Sequence, residues 1–325
     1  MNPCSYARTQ DPDHAVRKVS SDPKAAFLAG GTTLIDLMKE EVMRPTSLVD
    51  ISELPWNHVE DLPGGGLRVG AMVTNTDLAY HPKVVKHYPV LSQAILSGAS
   101  PQLRNLATTG GNILQRTRCT YFRDVAMPCN KREPGTGCGA LHGYNRGLAI
   151  LGTSNHCIAS HPSDMCVALS ALDAVLLLEG PKGERRIPIN DFYLLPGSTP
   201  HIENQLRHGE LIKAVEIPAL AFATNSHYLK VRDRASYEFA LVSVAVALDL
   251  SGSKIRAARL ALGGVGTKPW RCFDAEKALV SGAGHEHAAQ LALQGAHPYE
   301  HNAFKVKMAH RAILRALETV SGGNA

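Results

Sequence analysis

The stretch that most limits what this chain folds into is AAFLAGGTTLIDLMKEEVMRPTSLVDI, from Ala25 to Ile51. AAFLAG is a short apolar strand and SLVDI a second one. Between them TTLIDLMKEEV is helical, because Leu34, Leu37, Met38 and Val42 recur at three- and four-residue spacings and form one apolar stripe that only Glu41 interrupts. Two strands joined by one helix within so few residues predict a right-handed parallel crossover. The strand reaches the helix through Ala29-Gly30-Gly31-Thr32, a link too tight for large side chains. Free backbone N–H groups and the helix dipole favour an anion at such a place, glycines let a phosphate come close, and threonines add hydroxyl donors.

A second paired glycine follows in Thr108-Thr109-Gly110-Gly111-Asn112, after GGGLRVGAMV, which reads as a strand, and TNTDLAYHP and VLSQAILSGAS, which read as helices. Neither glycine pair matches the Lys-Ser/Thr phosphate loop or the G-x-G-x-x-G dinucleotide fingerprint. Two anion cradles in one domain favour a long ligand with a diphosphate in its middle, such as FAD.

Periodicity fades from Thr117 to Ile158, an irregular segment of a length that is usually functional or disordered. It holds Cys119, Cys129, Cys138 and Cys157 with spacing C-x9-C-x8-C-x18-C. Zinc knuckles and ferredoxin motifs begin with closer pairs, so spacing alone identifies neither metal. Cys166 is a rival fourth ligand, but its apolar helix makes it a packing thiol. His142 or His156 with the thiols would make a mixed zinc site. Cys4 and Cys272 read as structural or incidental. Arg116, Arg118, Arg123, Lys131, Arg132 and Arg146 surround the thiols, with the expectation that they offset thiolate charge.

Regular structure returns in SHPSDMCVALSALDAVLLLEG, a helix capped by Ser163 or Asp164 and then a strand. Short strands in GERRIPINDFYLLPG and ELIKAVEIP follow. After a break at ALAFATNSH, a last unit combines alternating strands with helices between Phe273 and Val320.

A length of 325 residues predicts two or three domains. A net charge of +5 without a dense basic stripe argues against nucleic acid. The longest apolar run, ALVSVAVALDL from Ala240, is about half of what a membrane span needs, and Asp249 interrupts it. Seven cysteines, an odd number, argue against a simple disulfide framework. The N-terminal residues show no signal-peptide core, which leads to the expectation that the chain by itself stays where it is made.

LAGGTTLIDLMK, ATTGGNI, SDMCVALSALDA, KVRDRASYEFALVSVA and LALGGVGTKPWR together closely resemble the FAD-binding medium subunit of the xanthine dehydrogenase and molybdenum hydroxylase family. The resemblance implies an α+β fold. A PCMH-type FAD-binding domain of two α/β subdomains, 1–57 and 58–222, precedes a CO-dehydrogenase-flavoprotein-like domain of antiparallel sheet and helices, 223–325. It implies FAD contacts at Leu28, Ala29, Gly30, Gly31, Thr32, Thr33, Leu34, Ile35 and Asp36, at Ala107, Thr108, Thr109, Gly111 and Asn112, and at Asp164, Ile212 and Lys230. It also implies a heterotrimer with a small [2Fe-2S] subunit and a large molybdenum-cofactor subunit, with an external electron acceptor at the flavin and no catalytic residue in this chain.

Family members join the second glycine pair to the S-D helix by a few residues, whereas 46 separate Asn112 from Ala159 here. The insertion, at about 116–158, resembles that of the periplasmic aldehyde oxidoreductases of the family. The likeness implies a [4Fe-4S] cluster on Cys119, Cys129, Cys138 and Cys157, and residence in the periplasm by export with a signal-bearing partner, with cytoplasmic residence as the alternative. A free-standing FAD oxidoreductase and a zinc-stapled binding module are the other functional classes.

Overall fold

The computed structural model of the chain describes residues 1–322; the last three residues of the C-terminal unit expected at 223–325 lie outside the described residues. The N-terminal unit is a three-stranded parallel sheet in the order Ser5–Arg8, Ser47–Asp50, Ala25–Leu28. Leu48 stands between Tyr6 and Ala26 in register. The crossover expected from Ala25 to Ile51 is therefore present.

Sequence reading missed the edge strand Ser5–Arg8, because it is largely exposed and shows no apolar alternation. The helix is shorter than its apolar stripe suggests and runs over Leu34–Lys39. It closes where Glu41 takes φ 63°, with the Val42 N–H donating to the Leu37 carbonyl and the Glu41 N–H to that of Met38. This is a Schellman closure with glutamate where glycine is usual, so no residue announced it.

The second unit is a five-stranded antiparallel sheet in the order Val59–Asp61, Gly66–Gly70, Leu211–Pro218, Val175–Gly180, Gly183–Pro188. Its helices include Asn75–Tyr80, Pro89–Ser97, Pro101–Leu106, Thr109–Ile113 and Asp164–Ala171. Thr74, Ser100, Thr108 and Ser163 cap four of them by accepting a backbone N–H two or three residues into the helix. One continuous core joins the first two units.

The third unit is a four-stranded antiparallel sheet in the order Trp270–Arg271, Lys254–Gly263, Val242–Ser251, Ser226–Val231. Helices Phe273–Val280, His285–Ala292 and Phe304–Val320 cover it and enclose a second core.

Within the irregular segment the one helix is a single turn, Thr120–Arg123. Isolated bridges pair Cys129 with Cys138 and Ser154 with Cys157. Side chains organise the loops: Asn130 Oδ1 accepts from the N–H groups of Gly135 and Gly137, and Asn145 Nδ2 donates to the Ala140 carbonyl. The segment has its own small core of Phe122, Ala140, Leu148, Ile158 and the cysteines, into which the N-terminal unit contributes Leu37.

Candidate cofactor cleft and thiol cavity

The two glycine turns touch. A Cβ on Gly30 would lie 1.9 Å from the Leu106 carbonyl oxygen, so the first turn rests on the backbone just before the second. Gly31 takes φ 70°, a conformation that glycine adopts without steric cost. Thr33, at the start of helix Leu34–Lys39, makes no capping bond with its side chain. The hydroxyls of the second turn are used internally: Thr108 accepts from the Gly111 N–H at 3.2 Å, and Thr109 donates to the Val73 carbonyl at 2.9 Å.

Open clefts lie on both sides of the joined turns. One is lined by Ala29, Gly30, Gly31, Leu34, Thr108 and Gly110, and reaches Met72, Arg116 and Ile212. The other runs past Ala107, Asn112 and Arg118 to Asp164, Lys230, Tyr237 and Phe239. Thr32, Thr33 and Gly111 line both. The site is thus two-ended with the glycine turns at its waist, the shape that a ligand with a central diphosphate requires. Leu28, Ile35 and Asp36 line neither cleft. Leu28 and Ile35 pack against Gly31, and the Asp36 carboxylate is held by Arg118 and Arg123.

At the far end of the second cleft Lys230 Nζ donates to Asp164 Oδ2 at 2.8 Å and to the Ser97 carbonyl at 3.0 Å. Tyr228 donates to Asp164 Oδ1 at 2.6 Å. Both members of the ion pair are buried, with side chains 4% and 9% exposed. The strand Ser226–Val231 sets Tyr228 and Lys230 on one face by its two-residue period, and the Ser163 cap sets Asp164 opposite them.

Sequence reasoning missed Asn75, Arg104, Tyr237 and Phe239 as cleft residues and treated Arg118 as a neighbour of the thiols. Asn75 Oδ1, Arg104 Nε and Arg118 Nε are shielded from solvent without a partner, on residues lining the second cleft. Buried polar atoms are rarely left so. A polar ligand in the cleft gives such atoms partners, and together with the glycine-turn backbone that lines the two clefts the residues fit FAD.

All four inserted cysteines line one small cavity, with Phe122, Lys131, Ala140 and Ala159. None is in a disulfide. Burial raises the Cys119 thiol to about 12, opposed by the backbone N–H groups of Phe122 and Tyr121. Burial likewise raises Cys157 to about 11, opposed by Lys131 and the Ala159 N–H, and raises Cys138, opposed by N–H groups of Ala140, Leu141 and Ile158. At these three thiols the N–H donors favour the thiolate and burial, the larger effect, disfavours it. Among the described residues no three His, Cys, Asp or Glu are arranged to hold a metal ion. Four thiols converging on one cavity are a donor set that zinc and iron–sulfur sites both use.

Cys166 is elsewhere, buried with its sulfur 3.0 Å from the Tyr193 hydroxyl, as the packing reading expected. Of the two histidines considered for a mixed zinc site, His142 does not line the thiol cavity and His156 does. The basic residues depart from expectation. Arg116 pairs with Glu203, Arg118 with Asp36, Arg123 with Asp36 and Glu40, and Arg146 with Asp233. Arg132 donates to the carbonyls of Tyr121, Phe122 and Met127. The first four fasten the insertion to its surroundings and Arg132 ties the insertion to itself, and Lys131 alone among the basic residues lines the cavity.

A larger cavity bridges the two sites. It shares Lys131, Cys157 and Ala159 with the thiol cavity, and Met43, Leu114, Arg116 and Leu206 with the first cleft. The thiols therefore stand beside the cofactor cleft, as the position of the insertion between Asn112 and Asp164 implied.

A parallel crossover fused to an antiparallel sheet, with paired glycine turns at the waist of a long cleft, defines a flavoprotein scaffold of the kind that holds FAD by its diphosphate. The FAD binding domain in molybdopterin dehydrogenase matches residues 2–220, and the CO dehydrogenase flavoprotein C-terminal domain matches 227–320. The chain belongs to the FAD-binding medium subunits of the molybdenum hydroxylase family, which are oxidoreductase subunits. It is 50% identical over 318 residues, 98% of either chain, to the aldehyde oxidoreductase FAD-binding subunit PaoB of Escherichia coli. It is 28% identical to the glyceraldehyde dehydrogenase medium chain of Sulfolobus acidocaldarius, over 85% of this chain and 80% of that one. Among solved structures, carbon monoxide dehydrogenase from Hydrogenophaga pseudoflava superposes over 100% of both chains at TM-score 0.76 and 25% identity. No described helix is long and apolar enough to cross a membrane.

Proposed function

We propose that this chain is the FAD- and [4Fe-4S]-carrying electron-transfer subunit of a heterotrimeric molybdenum aldehyde oxidoreductase. Aldehyde is oxidised to carboxylic acid in a large partner subunit with the molybdenum cofactor, a small partner subunit carries two [2Fe-2S] clusters, and an external acceptor collects electrons at the flavin. The observation that carries this reading is the four-thiol cavity standing beside a two-ended cleft, in a chain half identical to an aldehyde oxidoreductase subunit over its whole length. FAD, when bound, supplies exchange of electrons between the partners and the acceptor.

The residues of this chain have the work of holding it. The first glycine turn brings backbone N–H groups to the diphosphate, those of Thr109 to Asn112 in the second being bonded within the chain, and Asn75, Arg104 and Arg118 offer unpaired polar atoms along the cleft. The Asp164–Lys230 pair fixes the position of one end. Cys119, Cys129, Cys138 and Cys157 hold the cluster. Residence in the periplasm, by export with a signal-bearing partner, is part of the proposal, and cell fractionation tests it.

The complex, purified through a tag on this chain, tests the function. Aldehyde added without oxygen bleaches the flavin absorbance of the complex and leaves the isolated chain unchanged. Bleaching of the isolated chain identifies a free-standing flavoenzyme and contradicts the proposal.

A further inference from the structure

The residue immediately before the first inserted cysteine reaches into the cofactor cleft. Arg118 Nη1 donates to Asp36 Oδ2 at 2.9 Å, on the helix that follows the first glycine turn. Its guanidinium also lies 4.9 Å from the centre of the Phe239 ring, in the C-terminal unit. Arg118 and Phe239 both line the second cleft, together with Thr32 and Thr33 of the glycine turn. One side chain from the insertion thus touches the units on both sides of the cleft.

Arg123, five residues on in the turn Thr120–Arg123, reinforces the contact. It binds the same Asp36 carboxylate and donates through Nε to Glu40 Oε1 at 3.2 Å. Beneath these pairs Leu37 of the same helix is buried in the core that surrounds the cysteines. The backbone between the arginine and the thiol is also fixed: the Cys119 N–H donates to Thr117 Oγ1, which in turn donates to the Ser160 carbonyl.

We propose that Arg118 is a positioning residue that latches the FAD cleft, and that the thiolate site holds the latch in place, so that the insertion controls how long FAD is retained. The proposal rests on the FAD and cluster sites proposed above. The physical requirement is small. Helix Leu34–Lys39 carries the first glycine turn at its N-terminus, and a helix of six residues has little stability of its own, so tertiary contacts on Asp36, Leu37 and Glu40 decide where the turn sits. Fixing Cys119 to a cluster fixes the backbone that aims Arg118, and the coupling is reciprocal: bound FAD favours the conformation in which the thiols converge.

The test uses the full chain with its FAD, following flavin fluorescence as the cofactor is released, with iron content and thermal unfolding measured on the same samples. An ion pair of this exposure and an arginine over an aromatic ring are together worth up to about a tenfold change in an equilibrium. Arg118→Ala and Asp36→Asn are each expected to release FAD about three- to tenfold faster with iron retained, and the double variant no faster than the worse single. Arg118→Lys restores part of the retention. Cys129→Ser is expected to speed release in the wild-type background and to add nothing in the Arg118→Ala background.

Wild-type release rates in both Arg118→Ala and Asp36→Asn overturn the latch, and so does a Cys129→Ser effect that is undiminished without Arg118. Failure of the underlying reading looks different: the wild-type chain then carries no flavin or no iron, and both proposals fall together.

Discussion

Gly30→Ala tests the contact on which the cleft depends. The added Cβ meets the Leu106 carbonyl oxygen at 1.9 Å and its carbon at 2.8 Å, whereas a methyl carbon comes no closer than about 3.0 Å to such an atom. The clash is with backbone, so no side-chain rotation relieves it. The Leu106 carbonyl belongs to helix Pro101–Leu106, and the next residue's N–H and carbonyl are both committed, to Leu103 and Asn75. One glycine turn must therefore move an ångström or more from the other, at the waist where both meet the ligand. Overpacking of this kind costs about 1–3 kcal/mol, and the same separation removes backbone donors from the diphosphate. The expected outcome is a chain that folds with a melting temperature lower by several degrees and loses at least about tenfold in FAD affinity, read by flavin fluorescence during dialysis. Gly147→Ala is the control, because a Cβ there meets nothing within 4 Å and the backbone angle is ordinary. Wild-type flavin affinity in Gly30→Ala refutes the argument that the two turns form one cradle.

Lys230→Met leaves the Asp164 carboxylate buried with only Tyr228 as partner, and breaking a buried pair in this way costs about 3–5 kcal/mol; urea unfolding should recover part of the loss in Lys230→Met combined with Asp164→Asn. Lys305 Nζ stands within 3.1 Å of the carbonyls of Gly147, Leu148 and Gly264, enough acceptors for its ammonium form and one more than the neutral amine can serve, and joins the last helix to the return of the insertion, while burial lowers its pKa from 10.5 to about 7. Between those values the unfolded chain binds a proton that the folded chain does not, so stability from this position rises with pH over that window. Lys305→Met, losing about 2 kcal/mol in hydrogen bonds, is expected to be more destabilising at pH 9 than at pH 6. Equal losses at both values contradict the assignment. His161, whose buried ring burial lowers to about 3, gives the same sign in acid: stability falls as pH drops from 6.5 towards 3, and His161→Gln is expected to flatten that fall.

The parts of the fold that followed local rules were legible. The crossover from Ala25 to Ile51 was legible from its period and its glycine link, and residue type narrowed one cap to Ser163 or Asp164, of which the structure uses Ser163. Ser5–Arg8 and the early end of helix Leu34–Lys39 were not, since the first is an exposed edge and the second ends on a glutamate in a conformation that glycine usually marks. The thiols were legible as a group because they sit together in one inserted segment. The basic residues among them were misread for a physical reason: their partners Asp36, Glu40, Glu203 and Asp233 lie roughly eighty residues away on either side, and no spacing rule connects such residues. Arg104 as a cleft residue escaped for the same reason, and Asn75 because a polar residue at a helix start reads locally as a capping candidate.

The central claim is that one chain holds a flavin and an iron–sulfur cluster side by side. Iron, acid-labile sulfide, zinc and flavin analysis of the purified wild-type chain, taken with its visible spectrum, tests this most directly. The account predicts about one FAD and about four iron atoms per chain, flavin bands on a broad brown shoulder, and loss of the shoulder in Cys129→Ser. Zinc in place of iron, or flavin with no metal at all, contradicts it.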